Sequence, residues 1–177
     1  MHLMAKKPVK DVQTVTPDGN SIAPRIHGVV LRPAVTQTDD RGTICEIFNP
    51  AWKLHPEPLV YIYQITIRPG KIKGWHVHHR HDDRIFLSQG TVKVVLYDTR
   101  KDSPTFGAVN EICRSEHQRD LMVIPAHVFH AHQNIGTTDA LLVSMPSRTY
   151  DHADPDVYRL PIENDIIPYT FHKPPGW

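Results

Sequence analysis

Cysteine is scarce in this chain: Cys45 and Cys113 are the two among 177 residues. Two thiols make no disulfide framework, and a reducing, cytoplasmic setting is the expectation. Both are read as small buried hydrophobes. No apolar run approaches the roughly 18 residues that a membrane-spanning helix needs. Met1–Lys10 is basic but has no apolar core, which argues against a secretory signal. Charge of one sign is also missing. Twenty Lys and Arg against nineteen Asp and Glu leave a formal net charge of +1, so no strong field is aimed at nucleic acid or an anionic membrane. Helical periodicity is lacking too, since no stretch carries a persuasive amphipathic helix.

Proline and alternation are what the chain has. Sixteen prolines are spread as punctuation, which favours short strands and loops over long helices. Between the ends the hydrophobic period is two. Strands are expected over 43–48, 59–68, 91–97, 121–124, 128–134 and 140–145, where β-branched and aromatic residues gather between turn formers. Many short strands closely spaced imply an all-β sandwich or closed barrel, with a ligand at its mouth. The length suits one domain, read as a loose arm over 1–24, a β domain over 25–170 and an irregular tail over 171–177.

The chemistry is concentrated in histidine. An even spread of the 13 histidines would put fewer than one in any six positions, yet His76-Val-His78-His79-Arg-His81 holds four. On a strand His76 and His78 share a face and can converge on one ion or one substrate. His79 and His81 would fall on the other side and are expected to be exposed. His127, His132 and His152 carry weaker signals. Tyr61 and Tyr63 share a face for which core packing is the simpler role, while Trp75 suits either core packing or stacking on a sugar or base.

Gly70-(five)-His76-x-His78-(four)-Asp83-(six)-Gly90 resembles the first motif of the cupins. Pro125-x-His127-(two)-His130-(three)-Asn134 resembles the second. The resemblance implies a jelly-roll β-barrel over 25–170. In metal-binding cupins the matching positions, His76, His78, Asp83 and His130, make a three-His, one-carboxylate site, suited by ligand type to Fe, Mn, Ni, Cu or Zn.

A narrower resemblance follows from Asp40-Arg41-Gly42-x-x-x-Glu46-x-Phe48, from Lys73-Gly74-Trp75-His76, and from Asp98-Thr-Arg100 with Ser103-Pro104-Thr105-Phe106-Gly107. These are similar, in order, to segments of the dTDP-4-dehydrorhamnose 3,5-epimerase family. The family reaction takes a proton from the carbon beside the C4 ketone of a nucleotide-linked 6-deoxy sugar and returns one to the opposite face. It needs no cofactor. The resemblance gives His76 the role of base and Arg84 that of the enolate-stabilising cation. The family's acid Tyr falls at Val143, which cannot donate a proton, so Tyr150, Tyr61 and Tyr63 are the substitutes. The carboxylate that orients the base comes from a C-terminal segment and has no placed match. Arg41, Glu46 and Lys73 take nucleotide-binding positions, with Trp75 and His130 beside the sugar. A homodimer is implied, with no nucleic-acid or membrane partner.

Three readings stand at this point. One is an epimerase or ketoisomerase on a nucleotide-linked 4-keto-6-deoxy sugar. The second is a metal-dependent cupin dioxygenase or isomerase, in which His76 is a ligand and not a base, because a coordinated lone pair cannot take a proton. The third is a non-catalytic sugar- or nucleotide-binding cupin.

Overall fold

In the computed structural model, which describes residues 10–19 and 21–171, twelve strands build the molecule. They are β1 (Val30–Pro33), β2 (Thr36–Asp39), β3 (Gly42–Cys45), β4 (Tyr63–Ile67), β5 (Ile72–Val77), β6 (Asp83–Gln89), β7 (Thr91–Asp98), β8 (Val109–Ser115), β9 (Asp120–Ile124), β10 (Val128–Asn134), β11 (Ala140–Ser144) and β12 (Tyr158–Arg159). A single 3-10 turn over Pro50–Trp52 is the one helical element among the described residues. Two antiparallel five-stranded sheets, ordered β1-β9-β6-β11-β4 and β12-β5-β10-β7-β8, face each other, and β2-β3 is a separate hairpin. This is the jelly-roll architecture that the cupin resemblance implies, and the all-β character expected from the alternating sequence.

Period two explains the layers. Ile85 and Leu87 of β6, Leu142 of β11, Met122 and Ile124 of β9, and Val92, Val94 and Leu96 of β7 point inward and form the central core. The intervening residues turn outward and are covered in turn. Phe86, Leu121, Met145 and Val143 pack under the segment that carries Cys45, Phe48, Trp52 and Leu54. Trp75, Val95, Tyr97, Ala131 and Phe129 pack under Ile162, Ile167, Tyr169 and Phe171. With both faces covered, β6 and β9 are buried nearly throughout, so their sequences lose the alternation that makes a strand easy to read.

Several expectations need adjusting. Of the stretch 59–68, only Tyr63–Ile67 joins a ladder. β5 stops at Val77, so His78 begins a loop. Neither cysteine is fully buried: Cys45 is half-buried, and Cys113 is exposed on the edge strand β8. The expected arm is described from Lys10 and is exposed as far as Arg25, apart from half-buried Thr16, with a turn at Thr16–Gly19 and a Val15–Ser21 bridge. Its residues 1–9 and 20 lie outside the described residues, as do 172–177 of the expected tail.

The Asp98-x-Arg100…Ser103-Pro-Thr-Phe-Gly107 run is a self-bonded loop. Asp98, fully buried, accepts from Arg100 Nε at 2.8 Å, Ser103 Oγ at 2.6 Å and Thr105 Oγ1 at 2.7 Å. Arg100 then donates to His27 O at 2.6 Å and ties the N-terminal segment to the barrel. The signature is architectural.

Candidate active site

One end of the barrel opens into a cavity of about 790 Å³. Its floor comes from both sheets, because the inward positions near this end are polar where those deeper in are aliphatic. From β5 and β10 come His76, His130 and His132, and from β6 comes Asp83. The rim adds His78, His81, Lys73, Arg148, Tyr150, Asp156 and Arg159, and Tyr61 and Tyr63 line the wall toward β4.

At the centre is Asp83, buried, with Oδ2 3.2 Å from His78 Nε2 and 3.3 Å from His130 Nε2. The other nitrogen of each imidazole is already used. His78 Nδ1 donates to Asp156 O at 2.5 Å and His130 Nδ1 to Val128 O at 3.3 Å, since a carbonyl can only accept. The two Nε2 atoms therefore turn toward one carboxylate. Burial would raise the Asp83 carboxyl, but the surrounding imidazoles of His78, His130 and His81 hold it well below the ordinary range. Burial works against a charged His78, and Asp83 outweighs it and moves the pKa up. His130 goes the other way: burial, with help from His78, pushes it down to about 4. Asp83 Oδ1 and His132 Nε2 are buried with no hydrogen-bond partner.

His76 stands apart from this trio. Its Nε2 accepts from Arg159, and because a guanidinium only donates, the ring proton sits on Nδ1. Burial, then the neighbouring His130 and Arg159 charges, push its pKa down to about 3, so the ring is neutral. The side chains whose ligand atoms cluster within 4.8 Å are His78, Asp83 and His130, with a second overlapping set of His78, His81 and Asp156. His76 belongs to neither set.

The second carboxylate, Asp156, comes from the C-terminal segment. It accepts from the backbone N–H of His79 at 3.0 Å and of Arg80 at 2.8 Å, and from His81 Nδ1 at 2.9 Å. These bonds bend the chain after β5, so that His81 stacks on His78 with ring centroids 4.1 Å apart. That reverses the expectation that His81 points away. His81, His132, Asp156 and Arg159 were not among the expected site residues. The six-residue histidine run was the signal for His81. None marked a two-residue strand bringing Arg159 to the rim.

Other expected site residues lie elsewhere. Trp75 is completely buried on the outer face of β5, where it donates to Ile162 O at 3.3 Å and cannot meet a sugar. Arg84, next to Asp83 on β6, faces outward and spends its guanidinium on the carbonyls of Met145, Glu57, Pro58 and Pro146 at 2.7–3.0 Å. It is a buried clasp for two rim loops, not an enolate stabiliser. Arg41 and Glu46 are exposed on and beside the β2–β3 hairpin, with Arg41 paired to Asp39 at 2.6 Å, and neither lines the cavity. Val143 also faces outward. The inward position is Ser144, cross-strand partner of Tyr63, so an absent Tyr at 143 says nothing about the acid. Lys73 and Tyr150 do line the cavity.

Residues 23–161 match the profile of the dTDP-4-dehydrorhamnose 3,5-epimerase family. The chain belongs to that family. It is 34% identical over 142 residues to the probable low-salt glycan biosynthesis epimerase Agl13 of Haloferax volcanii, covering 79% of this chain and 90% of that protein. It is 30% identical over 150 residues to the spore coat polysaccharide biosynthesis protein SpsL of Bacillus subtilis, covering 83% and 97%. In fold it is similar to a dTDP sugar isomerase from Desulfovibrio desulfuricans, with a TM-score of 0.75 at 23% identity over 82% of this chain and 91% of the other. The epimerase-family chain thus keeps the barrel of its relatives while its cavity is crowded with imidazole.

Proposed function

We propose that this epimerase-family chain abstracts a proton beside the C4 ketone of a nucleotide-linked 4-keto-6-deoxy sugar and returns it, as an epimerase or ketoisomerase. The observation that carries this is His76, a neutral imidazole on the cavity wall whose Nε2 bears the lone pair. The family match favours this over a dioxygenase or a purely binding cupin. The carbon gives its proton to Nε2 while its bonding pair forms the enolate double bond and the carbonyl pair moves to oxygen. Tyr63 serves as acid. It lies on β4, in the sheet opposite His76, 39% exposed on the cavity wall, and loss of solvent around the hydroxyl together with the Asp83 charge raises its pKa, so the hydroxyl keeps its proton at neutral pH. Tyr150, in the loop that follows β11 along the cavity, suits sugar binding. Lys73 and Arg148 supply positive charge at the rim for a diphosphate.

The direct test follows deuterium from heavy water into a dTDP-linked 4-keto-6-deoxyhexose by mass spectrometry. The wild type incorporates label, and His76→Gln slows incorporation about 10²–10⁴-fold. No incorporation by the wild type would overturn the reading.

His78, Asp83 and His130 also suit a divalent metal. Ligands each about 2.0–2.1 Å from a tetrahedral zinc lie about 3.3 Å apart, which is the observed spacing of the two nitrogens from Oδ2. Both imidazoles already donate to a backbone carbonyl, the support that metal-bound histidine uses, and Asp83 Oδ1 has no hydrogen-bond partner, its nearest ion-pair contact being His81 Nε2 at 3.7 Å. When bound, such an ion supplies Lewis acidity toward a substrate oxygen. Arg41 and Glu46 would reach a nucleotide only across an interface between two copies, so the homodimer belongs to this proposal, and light scattering in solution tests it. Two free cysteines suit a cytoplasmic setting.

A further inference from the structure

The proposed reaction builds negative charge on the C4 oxygen, and the cation expected to meet it, Arg84, faces out of the cavity. Arg159 is placed to take that part. β12 pairs antiparallel with β5, and the register sets Arg159 directly opposite His76. Directly opposed residues share a face of the sheet with Cβ atoms about 4.5–5.5 Å apart, so the guanidinium enters the cavity beside the base. It lines the cavity and donates to His76 Nε2. Among the described residues no carboxylate forms a salt bridge with it, whereas Arg80 pairs with Asp154 at 2.7 Å.

We infer that Arg159 is the electrophile of the reaction: it latches the base in the empty site and, when the sugar binds, turns its N–H groups to the C4 oxygen and holds the enolate. This rests on the proton-abstraction reading above. In the free protein the guanidinium N–H occupies the only lone pair that His76 can use. A ketone oxygen beside it is an alternative acceptor, and the hydrogen bond strengthens as that oxygen gains charge. The release of Nε2 and the polarisation of the carbonyl are then one movement. The carbon–hydrogen pair becomes the enol double bond, the carbonyl pair goes to oxygen against Arg159, and the proton goes to Nε2. Tyr63 then gives its proton to the opposite face of the carbon as the oxygen pair re-forms the carbonyl; His76 and Tyr63 exchange their protons with water, and Nε2 accepts from Arg159 again. The cation is delivered from the C-terminal strand instead of β6.

The experiment compares wild type, Arg159→Gln and Arg159→Lys with a dTDP-linked 4-keto-6-deoxyhexose, measuring deuterium incorporation, kcat and KM, and measuring dTDP affinity separately by calorimetry. Arg159→Gln is expected to lower kcat and label incorporation about 10²–10³-fold, with dTDP affinity unchanged. Arg159→Lys, which keeps the charge, or free guanidinium added to Arg159→Gln, recovers part of the rate. A loss confined to KM and dTDP affinity would make Arg159 a phosphate anchor and overturn the inference, and so would unchanged kinetics in Arg159→Gln. A wild type that takes up no label instead sinks the proton-abstraction reading, and the inference goes with it.

Discussion

Arg84 and Asp83 are neighbours in sequence with opposite fates, because a strand sends successive side chains to opposite faces. Motif spacing located both residues but not their faces, and a slip of one residue exchanges cavity for outer layer. The same slip put the acid position at Val143 when the inward residue is Ser144. Arg84→Met leaves the carbonyls of Met145, Glu57, Pro58 and Pro146 without their donor. It should cost about 3 kcal/mol or more in urea unfolding, with activity falling only as far as folded protein is lost. Asp98 gives a prediction with a sign. Burial alone would raise its carboxyl, but Arg100, Ser103 and Thr105 hold it well below the ordinary range. A depressed folded pKa stabilises fully above the unfolded value of about 3.9 and is lost as pH falls. Asp98→Asn should therefore cost about 2–4 kcal/mol at pH 7. The gap from wild type should narrow in urea titrations carried below about pH 4.

At the scale of elements, the histidine strands were legible and the strap that completes them was not. β10 was read to the residue because its alternation is intact: Val128, His130 and His132 face in while Phe129 and Ala131 face out. β12 is two residues long and owes its place to tertiary contacts, chiefly the packing of Ile162, Ile167, Tyr169 and Phe171 over Trp75. No local pattern encodes such a strand. The close approach of β5 to β10 depends on Gly74, where an added Cβ would stand 2.3 Å from the Cβ and 2.6 Å from the Cα of Ala131. Those distances force the backbones apart next to the His130–His76 pair. Gly74→Ala should destabilise by about 1–3 kcal/mol, in the range of overpacked cores. Its loss of kcat, measured on the fraction that remains folded, should exceed that of a volume change elsewhere in the outer layer, because it moves His76.

For the whole molecule, the cavity is where the two sheets meet in chemistry as well as in packing. His130 belongs to one sheet and Asp83 to the other, with His78 just past the end of β5. An ion held by all three would fasten the sheets together in the folded state and have no comparable site in the unfolded chain. Binding to the folded state alone raises stability with the logarithm of free ligand, about 2.7 kcal/mol at one hundred times Kd. The melting temperature of protein purified without chelator should therefore fall on treatment with EDTA and rise again, in a concentration-dependent way, as zinc or manganese is restored. His78→Ala and Asp83→Asn should abolish that rise and leave no metal by mass spectrometry. His76→Gln, which removes the base but no member of the trio, should leave it intact. A melting temperature indifferent to EDTA and to added metal would leave His78, Asp83 and His130 as an ionic network that orders the cavity floor. Loss of the response in His76→Gln as well would mean that the base is a ligand after all, and His76 could then no longer be the proton acceptor.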